Sequence, residues 1–128
     1  MAILLSNEQA RKIFLERQGL SQPPSRSLDK AGLLALIDKL GFVQIDSIAT
    51  VDRAHQMILF SRSQTYRREH LQQLLEKDGE LFEHWTHDAS IIPAAFFRYW
   101  KHRFHRREAV IGERWRKWQG EDFDSAFE

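Results

Sequence analysis

The stretch LDKAGLLALIDKLGFVQID, residues 28–46, constrains the fold most. Leu33, Leu34, Leu36, Ile37 and Leu40 recur at the three- and four-residue spacing that gathers side chains on one face of an α-helix. Ser27 is the expected N-cap, and Gly41 stands where a left-handed residue closes a helix. The period then becomes alternating. Val43 and Ile45 point one way and Gln44 and Asp46 the other, over an expected strand at 42–48. A helix delivered directly onto a strand calls for a mixed α and β architecture.

The rest of the chain extends that pattern. Ser6 and Gln9 form a capping-box signature, after which Ala10, Ile13, Phe14 and Arg17 keep helical spacing up to Gly19. GLSQPPSRS, with its two adjacent prolines, is a loop. Val51, Ala54, Ile58 and Arg62 favour a helix from 51 to about 61, although QMILF alone would suit a strand. Leu71, Leu74 and Leu75 mark a helix that ends before Gly79, and LFEHWT at 81–86 reads as a short strand. Pro93 is expected to open a long final helix, because a missing N–H costs nothing in a first turn. There is no internal repeat. The order of helix, helix, strand, helix, helix, strand, helix describes a helix-rich α+β domain. It is winged-helix-like, a helix-turn-helix with short strands, and residues 1–128 are expected to form a single such domain.

With 128 residues, 42% of them hydrophobic and 29% charged, the chain can bury a core of ordinary globular size. Cysteine is absent, which excludes a disulfide framework and any thiolate metal site. The apolar run in MAILLSNEQAR is too short for a signal peptide, and ASIIPAAFF is too short to span a bilayer. A cytoplasmic protein without membrane contact is expected. The net charge of +1 hides an asymmetry. RYWKHRFHRR at 98–107 contains five Lys or Arg and no acid, whereas EDFDSAFE at 121–128 contains four acids and no base.

Several residues could carry chemistry. Phe97, Trp100, Phe104, Ile111, Trp115 and Trp118 recur at three-, four- and seven-residue spacings, which reads as core packing rather than a base-stacking surface. Trp115 and Trp118 are nevertheless expected to be exposed in a chain of this length, inviting self-association. Arg98, Lys101, Arg103, Arg106 and Arg107 suit either a solvated helix face or phosphate contact, in which each neutralised phosphate releases counterions. His84 and His87 in HWTHD would share a face if helical, but no further ligand has recognisable spacing, so no metal and no cofactor are expected. Asp52 in DRAH is accounted for by a helix start. Gln44 and Asp46, ~6–7 Å apart along one strand face, are open to three readings: solvent exposure, capping of the neighbouring helix, or a site.

The strings LLALIDKLGFVQIDSIATVDRAHQMILFSR and LFEHWTHDASIIP, taken in order, resemble the amino-terminal part of the YcaQ/AlkZ family of DNA glycosylases, most clearly over residues 28–93. The resemblance implies tandem winged-helix domains that excise alkylated bases, including those in interstrand crosslinks. It also implies that Gln44, Ile45 and Asp46 match the family's catalytic Gln-aliphatic-Gln/Asp motif, in the branch with Asp at the third position. Family members are much longer and bind DNA in a cleft built from several units. This chain is therefore expected to be an amino-terminal fragment, inactive alone and active in the full-length context. On that reading the partner is damaged double-stranded DNA, and Arg53, His55 and His87 join the five basic residues at 98–107 as DNA-binding candidates. A non-enzymatic winged-helix DNA-binding module is the alternative.

The motif suits the chemistry. Ordinary glycoside hydrolysis uses two carboxyl groups, one of which protonates the leaving group. An N7-alkylated guanine already carries positive charge and departs as a neutral base, so it needs no general acid. One carboxylate suffices to orient a water and offset charge growing on the sugar. Gln44 can hold that water without adding a competing charge. A crosslinked base is tethered to the other strand, so an open site is expected rather than a tight pocket for a flipped base.

Overall fold

A computed structural model describes residues 4–46 and 49–119. The chain divides between Ala94 and Ala95 into two compact units.

The first unit opens with α1, Asn7–Arg17, where both capping-box bonds form: Gln9 N–H donates to Ser6 Oγ at 3.2 Å and Ser6 N–H to Gln9 Oε1 at 2.9 Å. Gly19, at a φ of 66°, turns the chain away. The proline-containing loop is then fastened by Ser63, which is buried and donates from Oγ to the Arg26 carbonyl at 2.7 Å, and by Gln64 N–H, which donates to the Pro24 carbonyl at 2.8 Å. The leucine-rich helix α2 spans Lys30–Leu40. Its N-cap is Asp29 rather than Ser27: Asp29 Oδ1 accepts from Gly32 N–H at 2.7 Å, and a carboxylate at that position also complements the helix dipole. Gly41 closes α2 with a φ of 85°, as expected.

β1 is Val43–Gln44, shorter than the expected strand. The ladder continues only as far as Ile45 N–H, which donates to the Ala89 carbonyl at 2.8 Å. Ser47 and Ile48 lie outside the described residues. Then follow α3, Ala54–Phe60, and α4, Arg68–Gln72, which continues as a π-helical turn over Gln73–Lys77. Gly79, at a φ of 66°, ends this stretch where expected. β2, Leu81–Trp85, and β3, Ala89–Pro93, complete an antiparallel sheet in the order β1-β3-β2.

β3 corrects the sequence reading. ASIIP is the central strand, Pro93 is its last residue opposite Leu81, and the final helix starts only after a 3₁₀ turn at Ala94–Phe96. A central strand buried on both faces reads as a continuous apolar run without alternation, and a proline at a strand end forfeits little. The progression α2, β1, α3, α4 and a β2–β3 hairpin is a winged-helix-like arrangement.

Leu33, Ile37, Val43, Leu59, Leu71, Leu74, Leu81 and Ile91 form the core, so every element from α2 to β3 contributes at least one side chain. Burying a Leu or Ile side chain is worth roughly 1.5–3 kcal/mol, which is why this short sheet persists against its helices.

The second unit is dominated by α5, Phe97–Gln119, a helix of 23 residues. Phe97 and Phe104, one heptad apart, bring their rings to 5.4 Å, and Trp115 and Trp118 meet edge-on at 5.9 Å. These side chains are not core: Phe97, Phe104, Ile111, Trp115 and Trp118 are all exposed, Trp118 by 78%, and Trp100 is half-buried. The core reading of the stripe is thus corrected, while the expected exposure of Trp115 and Trp118 stands. The spacing reports an apolar helix face whether or not anything covers it. The acidic segment at 121–128 lies outside the described residues. No described helix is long and apolar enough to cross a membrane.

Candidate active site

Gln44 is the last residue of β1 and sits opposite Ser90 on the central strand. Alternation turns Val43 and Ile91 into the core, and hence Gln44 and Ser90 to the other face. Gln44 is half-buried and Ser90 fully buried, so this face is polar and partly covered rather than solvent-washed.

The three-residue turn between β2 and β3 brings a carboxylate to it. Gln44 Nε2 donates to Asp88 Oδ2 at 3.2 Å. Asp88 is itself fixed: its Oδ1 accepts from Ala89 N–H at 2.8 Å, and its carbonyl accepts from Thr86 N–H at 2.9 Å and Ser90 Oγ at 3.0 Å. Thr86 Oγ1 and Ser90 Oγ share a further hydrogen bond at 2.9 Å. Asp and Thr favour such turns because short polar side chains bond nearby backbone. Phe42, just before β1, meets the exposed His87 ring edge-on at 5.7 Å, so one end of the sheet gathers Phe42, Gln44, His87 and Asp88. Asp46 lies half-buried immediately beyond the last ladder bond, two residues from Gln44.

The other candidates separate into groups. Arg53, at the N-cap of α3, is exposed. His55 is buried with 7% exposure, and its Nδ1 has no hydrogen-bond partner among the described residues. Burial, and secondarily the charge of Arg53, lowers its pKa below the ordinary imidazole value, with Asp52 and Glu83 opposing and Arg68 reinforcing the shift. His55 is thus an internal residue of α3 whose ring is largely withdrawn from solvent. Asp52 accepts from Arg53 N–H at 2.8 Å and pairs with the Arg68 guanidinium, tying the start of α3 to α4. His84 lies in β2 and His87 in the turn, so the helical face on which H-x-x-H could chelate does not form. Among the described residues no cluster of three or more His, Asp or Glu could hold a metal. On α5, Arg98, Lys101, Arg106 and Arg107 are exposed and Arg103 is half-buried. Arg98 lies over the Tyr99 ring at 4.7 Å and Arg103 near the Trp100 ring at 5.8 Å, within the range of cation–π attraction.

Sequence reasoning missed Asp88 as a site residue. It stands in the quoted HWTHD string, but a carboxylate in a hairpin turn has an ordinary structural explanation. Only the pairing of β1 with β3 brings it to Gln44.

A winged-helix-like unit with a paired amide and carboxylate at one end of its sheet fits a nucleic-acid enzyme. The family model for AlkZ-like DNA glycosylases matches residues 37–128, which takes in the sheet, Gln44, Asp46, Asp88 and α5. The chain belongs to the AlkZ-like DNA glycosylase family. No solved structure matches the chain.

Proposed function

We propose that this chain contributes the catalytic motif of a monofunctional DNA glycosylase that hydrolyses the N-glycosidic bond of N7-alkylated purines, including purines held in interstrand crosslinks. The observation that carries this reading is the half-buried Gln44 amide, held by Asp88 and two residues from Asp46.

In the reaction the C1′–N9 bond breaks and its electron pair neutralises the cationic purine. A water oxygen bonds to C1′, and the Asp46 carboxylate takes the proton the water loses. Asp46 also offsets positive charge on the sugar as the base departs, while Gln44 orients the water through its neutral amide. Arg53, His87 and the α5 residues Arg98, Lys101, Arg103, Arg106 and Arg107 hold duplex phosphates. His55 supports the start of α3 from within. No metal or cofactor takes part. A DNA lesion as substrate places the work on the chromosome, in the cytoplasm.

The test compares duplexes carrying one N7-methylguanine or one O6-methylguanine, with free base measured chromatographically after incubation with the intact protein. N7-methylguanine should be released and O6-methylguanine retained, because only the former departs without protonation. No release of N7-methylguanine, or equal release of both, would refute the proposal.

A further inference from the structure

We infer that Asp88 is a positioning residue that fixes which end of the Gln44 amide faces the reacting water. The inference rests on the glycosylase reading above. An amide side chain has a donor prong and an acceptor prong of nearly equal shape, and only its surroundings choose between them. At Gln44 the choice is forced. A carboxylate oxygen of Asp88 lies 3.2 Å from the amide and can only accept, so Nε2 must face it. Reversing the amide would set Oε1 against a carboxylate, a repulsion without a compensating bond.

Asp88 cannot turn away to relieve such a conflict. Ala89 N–H holds its other carboxylate oxygen at 2.8 Å, and Thr86 and the fully buried Ser90 hold its carbonyl. The hairpin turn is thus a rigid mount for one charged acceptor aimed at Gln44.

The consequence concerns the nucleophile. With Nε2 committed to Asp88, Gln44 offers Oε1, an acceptor, to whatever lies on its far side. A water there donates one proton to Gln44 Oε1 and the other to the Asp46 carboxylate. Both protons are then directed away from the sugar, and an oxygen lone pair is left for C1′. If the amide were reversed, Nε2 would donate into that lone pair and compete with the attack. Asp88 touches neither water nor sugar; it acts through Gln44.

The test uses Asp88→Asn in the intact protein. Asn keeps the turn, since its Oδ1 can still accept from Ala89 N–H, but it presents an amide N–H₂ to Gln44 and drives the amide to reverse. Under single-turnover conditions with saturating protein on an N7-methylguanine duplex, excision should slow by ~10- to 100-fold, the effect of a small misplacement of a reacting group. DNA affinity should be retained. In a Gln44→Ala background, Asp88→Asn should slow excision no further, because the residue through which it acts is gone. An equal loss in both backgrounds, or full activity of Asp88→Asn, would overturn the inference.

A readout without catalysis separates this inference from the glycosylase reading. The Gln44 side-chain N–H₂ resonances, assigned by their loss in Gln44→Ala, should be displaced in Asp88→Asn, where the carboxylate that accepts from Nε2 is gone. Resonances indifferent to Asp88 would overturn the inference even in an active enzyme. Their predicted behaviour in a protein that releases no base would uphold the amide orientation while the glycosylase reading fell.

Discussion

A neutral amide at residue 44 and a carboxylate at residue 46 differ in what each can do to a departing base. Asp46 can accept a proton and oppose positive charge; Gln44 can only orient. Gln44→Ala should therefore slow excision less than loss of the Asp46 charge, as single-turnover rates of the two variants would establish. His55 acts at the same scale but on stability. Burial lowers its pKa from the ordinary 6.5. The unfolded chain therefore binds this proton more readily than the folded one. The contribution of His55 is complete above about pH 6.5 and is lost as pH falls from there toward its lowered value. Replacing His55 with Leu should flatten the fall in urea midpoint between pH 7 and 5; a slope unchanged from wild type would contradict this. His84 and His87, one in a strand and one in a turn, make no chelating pair. Chelator should accordingly leave the far-UV circular dichroism unaltered, and a loss restored by zinc would show otherwise.

At the scale of elements, α2 and its closing glycine set the position of β1. Gly41 has a φ of 85° and open space where a Cβ would stand, so Gly41→Ala carries a backbone penalty without a steric one. It should cost about 1–2 kcal/mol, read as a lowered urea midpoint with an unchanged far-UV spectrum; a stabilised variant would contradict the assignment. The helices were legible because their caps and periodicity are local: Ser6 with Gln9, Gly41, and Gly79 all act within a few residues. The N-cap of α2 was misplaced by two positions because Ser27 and Asp29 carry equally good capping groups. β3 was not legible, because a central strand lacks the alternation that betrays a half-exposed one, and Pro93 imitates a helix start. The same missing strand hid Asp88. Gln44 and Asp46 could be singled out from their own alternation, but the bond from Gln44 to Asp88 spans 44 residues and exists only once β3 pairs with β1.

On the proposed function, the whole molecule has to bring DNA to these side chains. Affinity drawn from phosphates is independent of sequence and steep in salt, with the logarithm of the binding constant falling by about 0.9 per phosphate neutralised for each unit of log salt. Replacing the exposed Arg98, Lys101, Arg106 and Arg107 together by Ser should flatten that slope for the intact protein on undamaged duplex; an unaltered slope would place the phosphate contacts elsewhere. The central claim, however, concerns bond breaking, and Asp46→Asn tests it most directly. The substitution is nearly isosteric and removes only charge and basicity. With saturating protein and a single N7-methylguanine in the duplex, the rate of base release should fall by about 10²–10⁴-fold, the usual worth of a positioned acid–base group, while the dissociation constant for the same duplex holds steady. Wild-type release by Asp46→Asn would remove Asp46 from the mechanism and leave Gln44 and its carboxylate partners as parts of the scaffold.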